Sequence, residues 1–356
     1  MNYPLKLLLL LTLCTQPLQA ADSINSPQVP IPHPDRYHLP ATAIDTTELP
    51  TMTLTASDPA DEPLPYYRIA DNSYMLFGNI AEVDEKNRGW NGNAGFVVTD
   101  EGVFVIDALG TPKLGQRFIA TIRSVTDKPI RYLALTHNHP DHSYGAIAFR
   151  RSSKAEVIAH TGTLDYINSD QMNSSVEYRR GFIPQDMQGF AAVTPDHLVD
   201  DTRFSKQTIK LGRHRFDIYN VGHHHSHGDL VIHQQPENIL WISDLAFNQR
   251  TTFMGDGNSK QAVEAQDWLL QNFADVALMV PGHGSAQTKP FAMVSKTRAY
   301  MQRLRDEMGK AVEEGIGLQQ AVDSSDFPEW HATRLYELNH RANANFVYRE
   351  MEQELF

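Results

Sequence analysis

Thiols are almost missing from this chain. Its 356 residues include one cysteine, Cys14, which lies in a segment that reads as removable. No internal disulfide can form, and neither a thiol nucleophile nor a thiolate metal ligand is expected in the mature protein. An excess of positive charge is also missing: 31 Lys and Arg face 43 Asp and Glu, for a net charge of −12. No basic stripe breaks that balance, so nucleic acid is not an expected partner. Long apolar runs are lacking too. The one near the start, residues 7–13, is interrupted by Thr12 and is too short to span a bilayer, so no stable membrane insertion is expected. What remains is ordinary for a globular protein, with 41% hydrophobic and 21% charged residues. That composition argues against pervasive disorder, a coiled coil or a collagen-like fibre.

The N-terminus reads as an export signal. Lys6 supplies the positive charge, residues 7–13 the apolar stretch, and Ala20 and Ala21 the small residues of a cleavage site. A signal peptide over 1–20 is predicted, placing the mature protein in the periplasm or outside the cell. Lipid attachment at Cys14 is disfavoured, because Leu13 stands where a small residue is needed. Pro4 and Pro17 bracket the run and argue against a buried helix. Residues 21–65 are rich in Pro, Thr, Asp and Ser and are expected to form an extended arm.

From residue 66 the pattern changes. Strands are expected at 74–77, 95–99, 103–106, 130–135, 157–160, 208–211, 216–221, 230–233, 239–243 and 276–280. Helical spacing falls at 113–124, 144–150 and 261–273, and throughout 290–356. Residues 165–200 look irregular. Interleaved strands and helices with hairpin-like pairs favour two sheets with helices outside, an α+β architecture. The expected division is a catalytic domain at 66–289 and a C-terminal helical region at 290–356.

Sixteen histidines are present, and they are clustered. Directly after the apolar strand at 130–135 comes His137-Asn138-His139-Pro140-Asp141-His142. Alternate residues on extended chain share a face, so His137 and His139 can aim together while Asp141 and His142 serve a neighbouring position. One metal with four ligands is conceivable; two metals fit the spacing better. Three further candidates end predicted strands: His225 in His223-His224-His225-Ser226-His227, Asp244 after Leu240-Trp241-Ile242-Ser243, and His283 in Pro281-Gly282-His283-Gly284. Singly, each is a common loop residue. Together, in this order, they describe a metal centre.

Over residues 66–287 the chain resembles the metallo-β-lactamase superfamily. The resemblance rests on the His-x-His-x-Asp-His run at 137–142 and on Gly222 to Asp229, which match Gly-x-x-His-(Ser/Thr)-x-Gly-(Asp/Ser) and select His225 from its cluster. It rests also on the apolar strand ending in Asp244, on Pro281-Gly282-His283, and on Val105-Ile106-Asp107. It implies a four-layer αββα sandwich. It further implies one divalent ion on His137, His139 and His225, a second on Asp141, His142 and His283, and Asp244 bridging them. Zinc suits an imidazole and carboxylate set; iron and manganese would accept it. Asp107 would orient a ligand. His223, His224 and His227 are expected at the rim.

The implied chemistry is metal-assisted hydrolysis of a small-molecule ester, thioester, lactone or amide, with Asp141 and Asp244 fixing the ions and offsetting their charge. The ligand set matches glyoxalase II enzymes, but an exported chain does not meet their cytosolic thioester. Zinc β-lactamases are exported but lack the bridging aspartate. Arylsulfatase and alkylsulfatase relatives stay open, as does a non-catalytic periplasmic zinc-binding protein. The loops 82–93, with Trp90, and 249–259, with Phe253 and Met254, are candidate pocket walls or core. The C-terminal helices are either packing or a dimer contact, or a lid supplying substrate contacts.

Overall fold

The computed structural model describes residues 52–355. The predicted signal peptide and most of the predicted arm lie outside them. Seven strands form one sheet in simple sequence order: β1 (Tyr67–Ala70), β2 (Ser73–Leu76), β3 (Ala94–Val98), β4 (Val103–Ile106), β5 (Ile130–Ala134), β6 (Glu156–His160) and β7 (His197–Val199). Five form the other, ordered β12 (Leu278–Pro281), β11 (Ile239–Ser243), β10 (Asp229–Gln235), β9 (His214–Gly222) and β8 (Lys206–Leu211).

Both sheets are buried on two faces, and strand alternation sorts their side chains. Along β4, Phe104 and Ile106 join the core between the sheets, while Val103 and Val105 join the layer under the helices. Along β11, Ile239 and Trp241 face inward and Leu240 and Ile242 face the opposite helices. Phe104 and Phe216 stack across the sandwich at 3.9 Å between centroids. Leu114, Phe118 and Ile122 of α1 (Pro112–Val125) cover the first sheet with Ala146 and Phe149 of α3 (Ala146–Ser152). Ala265 and Leu269 of α6 (Ser259–Asn272) and Met293 and Val294 of α7 (Ala292–Glu313) cover the second. The result is the expected αββα sandwich. Leu54 and Leu64, upstream of β1, are buried in the first of these layers.

The stretch 165–200 is a correction to the sequence reading. It holds the end of α4 (Gly162–Ile167), all of α5 (Asp170–Phe182) and β7. Only Val176 and Arg179 of α5 are buried, so the helix has almost no apolar stripe to betray it. The helix expected at 144–150 begins at Ala146, and a separate turn of helix, α2 (Pro140–Ser143), precedes it. The C-terminal region folds as the rest of α7, α8 (Leu318–Ser324) and α9 (Tyr336–Leu355). Its core includes Tyr300, Met301, Phe327 and Val347, with Met254 reaching in from the preceding loop. Among the described residues no helix is long and apolar enough to cross a membrane.

Candidate metal centre

The seven predicted ligands come from the ends of strands β5, β9, β11 and β12, at one edge of both sheets. They fall into two groups. His137, His139, His225 and Asp244 form one; Asp141, His142 and His283 form the other, with the candidate ligand atoms of each group within 4.8 Å of one another. The short helix α2 starts at Pro140, a residue pre-set for a first helical position, and carries Asp141 and His142, while His137 and His139 precede it on the loop; the His137 and His142 rings stay 4.4 Å apart between centroids. Asp244 lies between the groups: Oδ2 is 3.1 Å from His225 Nε2 and 3.2 Å from His283 Nε2, and Oδ1 is 3.4 Å from His142 Nε2.

Most of these imidazoles are held through the nitrogen that faces away from the centre. Asp107 Oδ2 lies 2.9 Å from His142 Nδ1, and its Oδ1 accepts from the Thr136 N–H. Asp256 Oδ2 lies 3.0 Å from His139 Nε2. His283 Nδ1 donates to the Asn91 carbonyl at 2.7 Å. Thr136 Oγ1 lies 3.2 Å from His137 Nδ1. Such partners fix tautomer and ring direction and leave the other nitrogen free. The loop of His225 is shaped by Asp229, whose Oδ2 accepts from the N–H groups of His225 and Ser226 while its Oδ1 accepts from Ser226 Oγ. Asp107 and Ser243 both adopt positive φ, 59° and 44°, an uncommon backbone for such residues.

The donor set fits divalent cations. His137 Nε2, His142 Nε2, His225 Nε2 and Asp244 Oδ1 are all buried without a hydrogen-bond partner, an arrangement that costs free energy unless something else engages those atoms. Gly282 leaves the necessary room, since a Cβ there would sit 1.9 Å from Asp244 Oδ1. The electrostatics agree. Burial would favour neutral Asp141 and Asp244, yet the His142 and His283 imidazoles beside them hold both carboxyls below the usual range. Burial would also keep His142 neutral, but Asp244, Asp141 and Asp107 outweigh it and push that imidazole up to about 10. Desolvated and ringed by His142, His139 and His225, His137 falls well below its ordinary value. Carboxylates thus draw positive charge into the centre, which is the charge a metal ion brings.

His223 lies elsewhere, grouped with His160 and Asp201. His227 is half-buried with Nε2 3.0 Å from Gln171 Oε1. The rim position expected for His224 is wrong: it is 3% exposed, with Nδ1 3.2 Å from Asp229 Oδ2. His224 is buried together with His225, and only His223 of the three is exposed.

A pocket of about 390 Å³ opens onto the centre and contains Asp141, His139, His225, Asp244 and His283. Phe253 walls it as the sequence allowed, whereas Trp90 and Met254 belong to the core. Arg179, Arg250 and Asp256 also line it; single residues in loops or on a polar helix carried no sequence signal. Arg250 is 9% exposed, and its Nε and Nη1 are buried without hydrogen-bond partners.

Comparison with known proteins agrees. The family model for the metallo-beta-lactamase superfamily matches residues 87–283, more than half of the chain. Among solved structures, a metallo-beta-lactamase from Pontibacter korlensis is similar at 19% identity and a TM-score of 0.53, over 67% of this chain and 99% of that one. The sec-alkylsulfatase Pisa1 from Pseudomonas sp. is similar at 16% identity and a TM-score of 0.63, over 80% of this chain and 50% of that one. The chain thus spans half the length of the alkylsulfatase it matches. No curated protein sequence matches significantly. The chain belongs to the metallo-β-lactamase superfamily and is a metallo-hydrolase with His and Asp groups able to hold its metal.

Proposed function

We propose that the chain is a binuclear hydrolase of an ester, thioester, lactone or amide, with His137, His139 and His225 on one ion, Asp141, His142 and His283 on the other, and Asp244 shared. The observation that carries this reading is the pair of His/Asp groups meeting at one buried aspartate, with four of their inward atoms lacking hydrogen bonds. Two divalent ions held there, with zinc best suited to the donors, would supply Lewis acidity and a water acidified toward neutrality. The chain's own residues do the rest. Asp141 and Asp244 offset the cationic charge. Asp107, Asp256 and the Asn91 carbonyl keep three imidazoles in register. Arg250, stacked 5.6 Å over Phe247 and otherwise without a partner for two of its nitrogens, is suited to an oxygen that gains negative charge as the bond breaks.

The test is elemental analysis of the purified protein, followed by a hydrolysis screen across esters, lactones, thioesters, β-lactams and sulfate esters before and after chelation. About two ions per chain and a chelator-sensitive activity are expected. Many weakly held ions with no activity would favour a metal-binding protein instead. We further propose export, with a mature N-terminus at or near Ala21. N-terminal sequencing of periplasmic material checks it, and an intact Met1 would refute it.

A further inference from the structure

The metal pocket is not enclosed by the family-matched region alone. Leu338, Asn339 and Ala342 of α9 form part of its wall, and α9 lies wholly beyond residue 283. Those residues therefore lie outside the stretch that the family model matches. Leu338 is 56% exposed, and Tyr178, on α5 across the pocket, is 54% exposed. Only three large apolar side chains are so exposed among the described residues, the third being Leu355, and these two line the same opening. Phe253 adds a third apolar surface there. Exposed apolar groups gathered at one mouth, rather than scattered, mark a place where something apolar binds.

The apolar surface also continues outward. A second cavity, of about 410 Å³, shares Leu338 and Ala342 with the metal pocket and reaches Phe346, with Val322, Gln319, Arg341 and Asn345 also lining it. Residues 338, 342 and 346 are four apart, so they stack along one face of α9. Eight residues of helix advance about 12 Å. Phe346 in turn packs edge-on to Phe253, with ring centroids 6.0 Å apart. The polar end of this path is the His/Asp centre with Arg250 beside it; the other end is open to solvent.

We infer that the substrate is amphiphilic: its scissile polar group sits at the His/Asp centre, and an unbranched apolar chain lies along the Leu338–Ala342–Phe346 stripe of α9, flanked by Tyr178 and Phe253. This inference rests on the hydrolytic reading of the centre and adds a substrate class to it. Continuity with the centre selects the occupant. A groove that leads out of a metal pocket through shared residues is filled by whatever occupies that pocket.

The experiment uses the metal-loaded protein and a ligand series that needs no turnover. Straight-chain alkanoates from acetate to decanoate, which resemble the acid product of ester hydrolysis, are titrated calorimetrically. Affinity should rise about twofold to fourfold for each added methylene, as expected for partial to full burial of that group. Leu338→Asp should flatten the series while leaving metal content, melting temperature and acetate affinity unchanged, and Leu338→Met should keep the slope. A flat series in the native protein, or an undiminished slope in Leu338→Asp, overturns the inference. So does a change from dimer to monomer in Leu338→Asp by light scattering with the slope kept, because the patch would then be a contact between copies. A rising alkanoate series in a protein that cleaves none of the screened substrates would sink the hydrolytic reading and leave the chain-binding groove standing.

Discussion

His223 and His225 stand two residues apart in the loop after β9, yet they serve different groups. His225 meets His137, His139 and Asp244, all buried. His223 is exposed and faces His160, with ring centroids 5.5 Å apart, beside an exposed Asp201. Both groups contain His and Asp at ligand-like distances. They differ in what the other imidazole nitrogen does. At the centre, Asp107, Asp256 and the Asn91 carbonyl engage the outward nitrogens, which leaves the inward nitrogen of each ring for a cation. At His160, the Gly162 N–H donates to Nδ1 at 3.0 Å. That places the ring proton on Nε2, which lies 3.4 Å from Asp201 Oδ1. Burial also keeps this imidazole below its ordinary pKa, against the pull of Asp201. A ring in that state offers a hydrogen where a metal needs a lone pair. The two clusters thus differ in tautomer, which the partner of the other ring nitrogen sets.

The comparison breaks most sharply at Asp244. Asp244→Ala removes the carboxylate that lies within 3.4 Å of imidazoles from both groups and is expected to lower turnover by roughly a thousandfold or more, with loss of metal. Unchanged metal content and turnover would mean that the two groups do not work as a pair.

A smaller effect tests the outward partners. Asp107→Asn and Asp256→Asn keep the shape of each side chain but remove its charge, and each should weaken metal affinity by about 10- to 100-fold. Competition with a chromogenic chelator measures this directly. If both variants hold metal as tightly as the native chain, ring orientation is set by packing alone.

His224 lies between the two clusters in sequence and in neither. Burial holds it down to about 4, despite the nearby Asp229 carboxylate. Its unfolded value is about 6.5, so the unfolded chain binds the proton first. The stability it contributes is complete above about pH 6.5 and is lost as pH falls from there toward 4, by up to about tenfold in the folding constant per pH unit. Urea titrations at stepped pH should show a shallower acid slope for His224→Gln than for the native protein. Equal slopes would mean that His224 is not held neutral.

The smallest effect is expected at the second cluster. His223→Ala should leave about two ions per chain and turnover within about twofold, as for most exposed substitutions. Loss of an ion from that variant would make the His160–Asp201–His223 cluster a third metal site.

Much of this was legible along the chain. The strands before Asp107, His137 and Asp244 are apolar runs closed by polar residues, and all seven residues brought together at the centre stand in recognisable local patterns. The α5 helix was not legible, because only Val176 and Arg179 on it are buried. Asp256 was not legible either: its partner His139 is 117 positions away, and one aspartate in a glycine-rich loop carries no periodicity. Trp90 read equally well as pocket wall or core, and packing placed it in the core.

By itself, then, the sequence determined the layered fold and which residue types gather at the strand ends, because both follow from local alternation and spacing. Which ring nitrogens face Asp244, that His224 is buried beside His225, and how α9 comes to wall the pocket were decided only in three dimensions. Each depends on hydrogen-bond partners and packing surfaces far away along the chain, and such contacts leave no trace in a local pattern.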